Sequence, residues 1–250
     1  MRLGIIECGR DRPELQKRYG RYSDMFVRWL GAALPQLEFK TFDVAQGATI
    51  GAPEQCDAWL IGGSPAGVYD AEPWIAELAA FVREAYAMRA PMIGVCFGHQ
   101  MLAHTLGGRV EKSSKGWGCG VHEYEFYAAP SWMRIETPLL RLRAMHQDQV
   151  VEAPPDATRI AGSAFCPNAA FVYGDPEAPD AISLQPHPEF EADFAATLIE
   201  LRMQDAIPRP VAETALQSLR SDDRAARVMN AEVAFWLAEF LRRREKRLSA

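Results

Sequence analysis

The sequence predicts an α/β fold with a mostly parallel central sheet, helices on both faces, short antiparallel strands beside it and a C-terminal helix. Three observations carry this expectation. Short apolar runs at 3–6, 39–44, 58–61 and 92–95 alternate with longer stretches of helical periodicity, and helices laid over a parallel sheet bury such an alternation economically. After Gly107 the pattern changes to short alternating strands and turns. Beyond Ile207-Pro208-Arg209-Pro210 it changes again, to a long helical run.

Taken in order, the first run (3–6) is a short buried strand, too short and wrongly flanked for the apolar region of a signal peptide. Met25, Phe26, Trp29, Leu30 and Ala33 then recur at three- and four-residue steps, the stripe of an amphipathic helix. The runs at 39–44 and 58–61 are the next two strands. Over 73–88 a second stripe, Trp74, Leu78, Phe81, Val82 and Ala85, follows a proline suited to the first helical turn. The run at 92–95 leads into a further helix from Cys96. Alternating strands are expected at 121–126, 139–142 and 171–173, with hairpins flanking the parallel sheet. In the last helix Val228, Val233, Phe235, Trp236, Ala238 and Phe240 supply apolar surface for the core or a partner, and the basic end, Arg242 to Arg247, reads as a solvated terminus favoured by the helix dipole. With 250 residues, 48% of them hydrophobic, and no repeat or linker, the chain is expected to form one domain (1–250), its core about 1–205 and a C-terminal helical extension about 206–250.

The chemistry concentrates at Gly94-Val95-Cys96-Phe97-Gly98-His99-Gln100. A cysteine where a strand turns into a helix meets unpaired N–H groups and the positive end of the helix dipole, which favour the thiolate. Glycines on both sides permit the sharp turn that lifts a nucleophile from a sheet. The residues alone leave a second reading open, a tight turn with a packed thiol. Downstream, in Leu184-Gln185-Pro186-His187-Pro188-Glu189, two prolines extend the backbone so that His187 and Glu189 project to the same side. A carboxylate beside an imidazole orients the ring and stabilises the imidazolium, the arrangement of a nucleophile, base and acid triad.

Together the two segments resemble the class I (triad) glutamine amidotransferases, marked by a Gly-x-Cys-x-Gly-His-Gln elbow and a later His-Pro-Glu; the resemblance covers about the first two hundred residues. It implies a flavodoxin-like core, Cys96 as nucleophile, His187 as general base and Glu189 as its partner, opening a γ-glutamyl amide through a γ-glutamyl thioester. Leu60-Ile61-Gly62-Gly63-Ser64-Pro65 is similar to the family's oxyanion loop, with Gly63 at the donor position and Ser64 as a departure from the usual pattern. The N–H of Phe97, just after the nucleophile, would be the second oxyanion donor. Gln100 matches the glutamine that helps hold the substrate's amino-acid end, and Gln147 and Asp148 match residues lining the glutamine pocket, where relatives often carry glycine in place of Gln147. Lys115-Gly116-Trp117-Gly118-Cys119-Gly120 resembles a stretch in short relatives that include γ-glutamyl peptidases.

The other histidines read as structural: His99 and His104 on the helix after Cys96, His122 on a strand face. Cys119-x-x-His122 has no second ligand pair at zinc spacing, so no metal and no cofactor is expected. A net charge of −6 argues against general affinity for nucleic acid or anionic lipid, and no run is long enough to span a bilayer. Five scattered cysteines suit a reducing cytoplasm rather than a secreted disulfide framework. The expected ligand is a small-molecule γ-glutamyl compound. A glutaminase role would require a separate synthase subunit; a stand-alone γ-glutamyl hydrolase would not; a non-catalytic ligand-binding or partner-interaction protein is the alternative of a different class.

Overall fold

A computed structural model describes residues 1–9, 12–135, 137–221 and 223–248, without the side chains of Asp223 and 246–248. The elements are β1 (Arg2–Glu7), α1 (Pro13–Tyr19), α2 (Tyr22–Ala33), β2 (Glu38–Asp43), β3 (Ala58–Ile61), α3 (Pro73–Ala87), β4 (Met92–Val95), α4 (Phe97–Thr105), β5 (Arg109–Lys112), β6 (Gly118–Phe126), β7 (Leu139–His146), β8 (Asp148–Glu152), β9 (Ala157–Gly162), β10 (Ala170–Tyr173), β11 (Ala181–Leu184), α5 (Ala192–Arg202), α6 (Arg209–Ser221) and α7 (Asp223–Leu248).

One nine-stranded sheet runs β2-β1-β3-β4-β11-β10-β9-β6-β7. Its first five strands are mutually parallel and the other four antiparallel. The α/β class therefore holds, and the expected antiparallel strands extend the same sheet at one edge. The short strands β5 and β8 pair separately. In β3, β4 and β11 every residue is buried, which is why they read as continuous apolar runs rather than alternating ones.

Two cores cover the two faces. On one, Phe26 and Leu30 of α2 meet Val233, Trp236, Leu237, Phe240 and Leu241 of α7 over β1, β3, β4 and β11. On the other, Leu78, Phe81 and Val82 of α3 pack with Phe97, Met101 and Leu102 of α4. Both predicted stripes point inward, with Trp29, Ala33 and Trp74 only half-buried.

Three expectations need correction. The strands β5, β8 and β9 carry too few apolar residues in sequence to stand out, and their pairing decides them. The long C-terminal helical run is two helices, and Val228 and Phe235 of α7 are 53% and 60% exposed rather than packed. The basic end is not simply solvated: Arg244 is buried, its Nη1 2.7 Å from Asp180 Oδ1 before β11 and its Nη2 donating to Arg89 O. The side chain of Arg247 lies outside the described residues. Among the described residues no helix is long and apolar enough to cross a membrane.

Candidate active site

Cys96 caps the N-terminus of α4 at φ 54°, ψ −103°, directly after the central strand β4. A positive φ at a non-glycine residue costs about 1–3 kcal/mol and persists only where the surroundings enforce it. Here Cys96 N–H donates to Leu184 O at 2.9 Å, and Cys96 C=O accepts from Gln100 N–H at 3.1 Å. The flanking glycines are required by contact. A Cβ on Gly98 would stand 2.1 Å from Ile61 O, and one on Gly94 would stand 2.6 Å from Gly98 O. Glycine thus lets α4 start against β3 and β4, and the turn aims the sulfur outward.

The partner histidine arrives from β11. His187 N–H donates to Arg143 O on β7 at 2.7 Å, and its Nδ1 lies 2.7 Å from Glu189 Oε1. With Nδ1 committed, Nε2 is the nitrogen left for chemistry. The ring stands beside Cys96: a Cβ on Gly63 would be 3.0 Å from His187 Cε1 and 3.9 Å from both His187 Nε2 and Cys96 Cβ. Both members of the His187–Glu189 pair are almost fully buried. Burial alone would push the imidazole pKa down, but the charge of Glu189 and then of Cys96, with hydrogen bonds to both, raises it to about 10. The imidazolium is therefore the favoured form at neutral pH.

Phe190 stacks on His187 at 3.9 Å. Its carbonyl accepts from Arg143 Nη1 at 2.7 Å and Asn230 Nδ2 at 3.1 Å. Strand β7 and helix α7 thereby hold the loop that carries His187 and Glu189.

Gly63 follows β3 in a loop pinned to the elbow by Gly98 N–H donating to Gly62 O at 3.1 Å. Ser64, which departs from the family's usual pattern, organises that loop: its Oγ donates to Cys8 O at 2.7 Å and accepts from Ala66 N–H at 3.1 Å. Phe97 occupies the first position of α4, where helix N–H groups have no partner within the helix. Gly63, Cys96, His187, Gln100, Gln147 and Asp148 all line one cavity of about 520 Å³. Phe97, next to Cys96 in the chain, is itself fully buried.

A family model described as glutamine amidotransferase class-I matches residues 19–200. The chain belongs to that family. Among its relatives, gamma-glutamyl peptidase 3 of Arabidopsis thaliana is 27% identical over 79% of this chain and 80% of its own length. A subunit of the glutamine-hydrolyzing GMP synthase of Halobacterium salinarum is 30% identical over 62% of this chain and 79% of its own. A glutamine amidotransferase structure from Thermotoga maritima superposes with TM-score 0.76 at 22% identity, covering 96% of this chain and 98% of that one; this likeness concerns the fold.

In this member of the family, Gln100 has its amide committed: Nε2 donates to Asp148 O at 3.0 Å and to Gln185 Oε1 at 3.2 Å. Asp148 Oδ2 accepts from Tyr69 OH at 2.6 Å. Gln147 sits between β7 and β8, its carbonyl accepting from Ser113 N–H at 3.1 Å. His99 is a packing group: fully buried, its Nδ1 is 2.7 Å from Ser183 Oγ and its Nε2 3.0 Å from Asn168 O. Burial drives its pKa down to about 3, only partly opposed by the Asn168 carbonyl, so it stays neutral. His104 is exposed, and His122 lies edge-on to Phe165.

Three residues at the site escaped the sequence reading. Gln185 Nε2 lies 3.7 Å from Cys96 Sγ, and the residue is completely buried. Its position two residues before His187 was a usable signal. Arg143, buried in β7, and Asn230, on a helix far along the chain, had none, because only folding brings them to Phe190.

Proposed function

We propose that this chain hydrolyses a γ-glutamyl amide, glutamine or a γ-glutamyl conjugate, through a thioester on Cys96. The observation that carries this reading is the buried His187–Glu189 pair beside a cysteine held at positive φ on a helix N-terminus. In acylation the Cys96 thiolate attacks the γ-glutamyl carbonyl carbon, and the N–H groups of Gly63 and Phe97 receive the oxyanion. The C–N bond breaks as the leaving amine takes the proton of His187 Nε2. Neutral His187 then removes a proton from water, which attacks the thioester carbonyl. The C–S bond breaks, glutamate leaves, and the thiolate–imidazolium pair is restored. Glu189 keeps the ring aligned throughout.

Two observations favour a conjugate over glutamine alone. The relatives named gamma-glutamyl peptidases span most of this chain, and the cavity of about 520 Å³ falls within the size that takes whole small ligands. The likeness to GMP synthase subunits favours a second reading, in which a separate synthase partner takes ammonia released from glutamine. The test is glutamate release from glutamine and γ-glutamyl peptides by wild type and Cys96→Ala, followed by mass spectrometry. The variant is expected to fold and to lose turnover by at least about 10⁴-fold. Full activity in folded Cys96→Ala would overturn the nucleophile assignment.

A further inference from the structure

Besides Cys96, two chemically different clusters of residues line the cavity. One comprises Tyr69, Asp70, Gln100, Lys112, Gln147 and Asp148, with Lys112 opposite Asp148 in the β5–β8 pairing. It offers both signs of charge, as an amino acid's ammonium and carboxylate require. The other comprises Trp117, Leu198, Arg12 and Arg202. Arg202 lies 5.8 Å from the Trp117 ring centroid, over its face, and its Nε is 3.7 Å from Asp205 Oδ1. Arg12 Nη2 pairs with Oδ2 of the same carboxylate. Two guanidinium groups thus share one carboxylate, so among the described residues these three groups carry a net positive charge.

His187 determines which cluster receives which half of the substrate. The leaving amine takes its proton from His187, so the leaving group lies on the His187 side of the scissile bond. On that side His187 stacks on Phe190, Phe190 on Tyr22, and Phe190 shares an apolar cluster with Leu15, Leu198 and Trp117. That wall leads to Arg202 and Arg12. We infer that Arg12 and Arg202, with Trp117 as a platform, form a leaving-group subsite for a carboxylate, making the substrate a γ-glutamyl peptide with a free C-terminal carboxylate rather than a γ-glutamyl amine. The inference rests on the γ-glutamyl thioester reading and adds the chemistry of the released half. It also gives a use to Trp117 within the Lys115-to-Gly120 stretch: Lys115 Nζ donates to Phe165 O at 3.0 Å, tethering the loop that carries it.

The experiment compares kcat/KM for γ-glutamyl-alanyl-glycine, the same peptide with a C-terminal amide, and glutamine. Because a charge-assisted hydrogen bond contributes about 1.5–3 kcal/mol, the free acid should exceed the amide by about 10-fold or more, carried mostly in KM. Arg202→Gln, which keeps a stem over Trp117 without the charge, should bring that ratio toward one, and Arg12→Gln should reduce it. Added salt should narrow it in wild type. Equal kcat/KM for acid and amide, or a ratio that survives both substitutions, overturns the subsite while leaving the thioester reading intact. Glutamate release from none of the three compounds overturns both.

Discussion

At the residue scale, the proposed chemistry turns on how two side chains bias one sulfur and one imidazole. Glu189 raises the His187 pKa to about 10 against the opposing effect of burial. In the proposed acylation His187 acts as an acid, so the alkaline limit falls where the imidazolium loses its proton. Removing the carboxylate charge lowers that pKa, and Glu189→Gln should move the alkaline limb of kcat/KM to lower pH, with a smaller rate loss than Cys96→Ala. An unmoved limb in a folded variant would refute Glu189 as the source of the bias. Gln185 acts on the sulfur. Its Nε2–H, 3.7 Å from Sγ, can donate to a thiolate, and its Oε1 is held by Gln100. Gln185→Leu should slow iodoacetamide labelling of Cys96 at fixed pH by about tenfold, the size expected for one lost hydrogen bond to a charge. Burial pushes the other thiols Cys8, Cys56, Cys119 and Cys166 upward, the last two to about 11 and about 12, so they should label slowly and leave the Cys96 signal distinct. The same labelling rate in wild type and variant would show that Gln185 serves packing alone.

At the element scale, α7 matters to the site without touching the sulfur. Leu237, Val233 and Phe240 are fully or almost fully buried over the sheet, Trp29 Nε1 of α2 donates to Asn230 O at 2.8 Å, and Asn230 Nδ2 reaches Phe190 O. The helix is therefore both a core layer and a brace for the loop that carries His187 and Glu189. Leu237→Ala should destabilise the protein by about 2–5 kcal/mol, seen as a lower midpoint in urea unfolding. A loss below about 1 kcal/mol would show that α7 is only loosely applied. The apolar spacing of this helix was plain in sequence, but which residues face inward was not. Val228 and Phe235 carry the same hydrophobic weight as Val233 and Trp236, and only docking against α2 and β7 puts one pair in solvent and the other in the core.

At the scale of the whole molecule, nine strands form one sheet, and its parallel strands β3, β4 and β11 bring residues far apart in sequence to the same edge. Strand β4 leads to Cys96, β3 to Gly63 and β11 to His187, so the proposed nucleophile, oxyanion loop and base meet at the carboxyl ends of adjacent strands, where open α/β sheets place their ligands. The central part of this arrangement was legible from the chain. Continuous apolar runs identify strands buried on both faces, two inward helical stripes identify their cover, and the glycine-framed Cys96 and proline-framed His187 and Glu189 carry their geometry in local backbone preferences. These signals are local, because a strand's burial, a helix's periodicity and a turn's φ are set within a few residues. What the sequence by itself determined is therefore the α/β class, the elbow and the identity of the triad candidates. The antiparallel edge, the bracing of Phe190 by Arg143 and Asn230, the placement of Gln185 against the sulfur and the cavity lined from distant segments were decided only by tertiary structure. Each is a contact between segments distant in sequence, and its energy exists only once the sheet has brought them together.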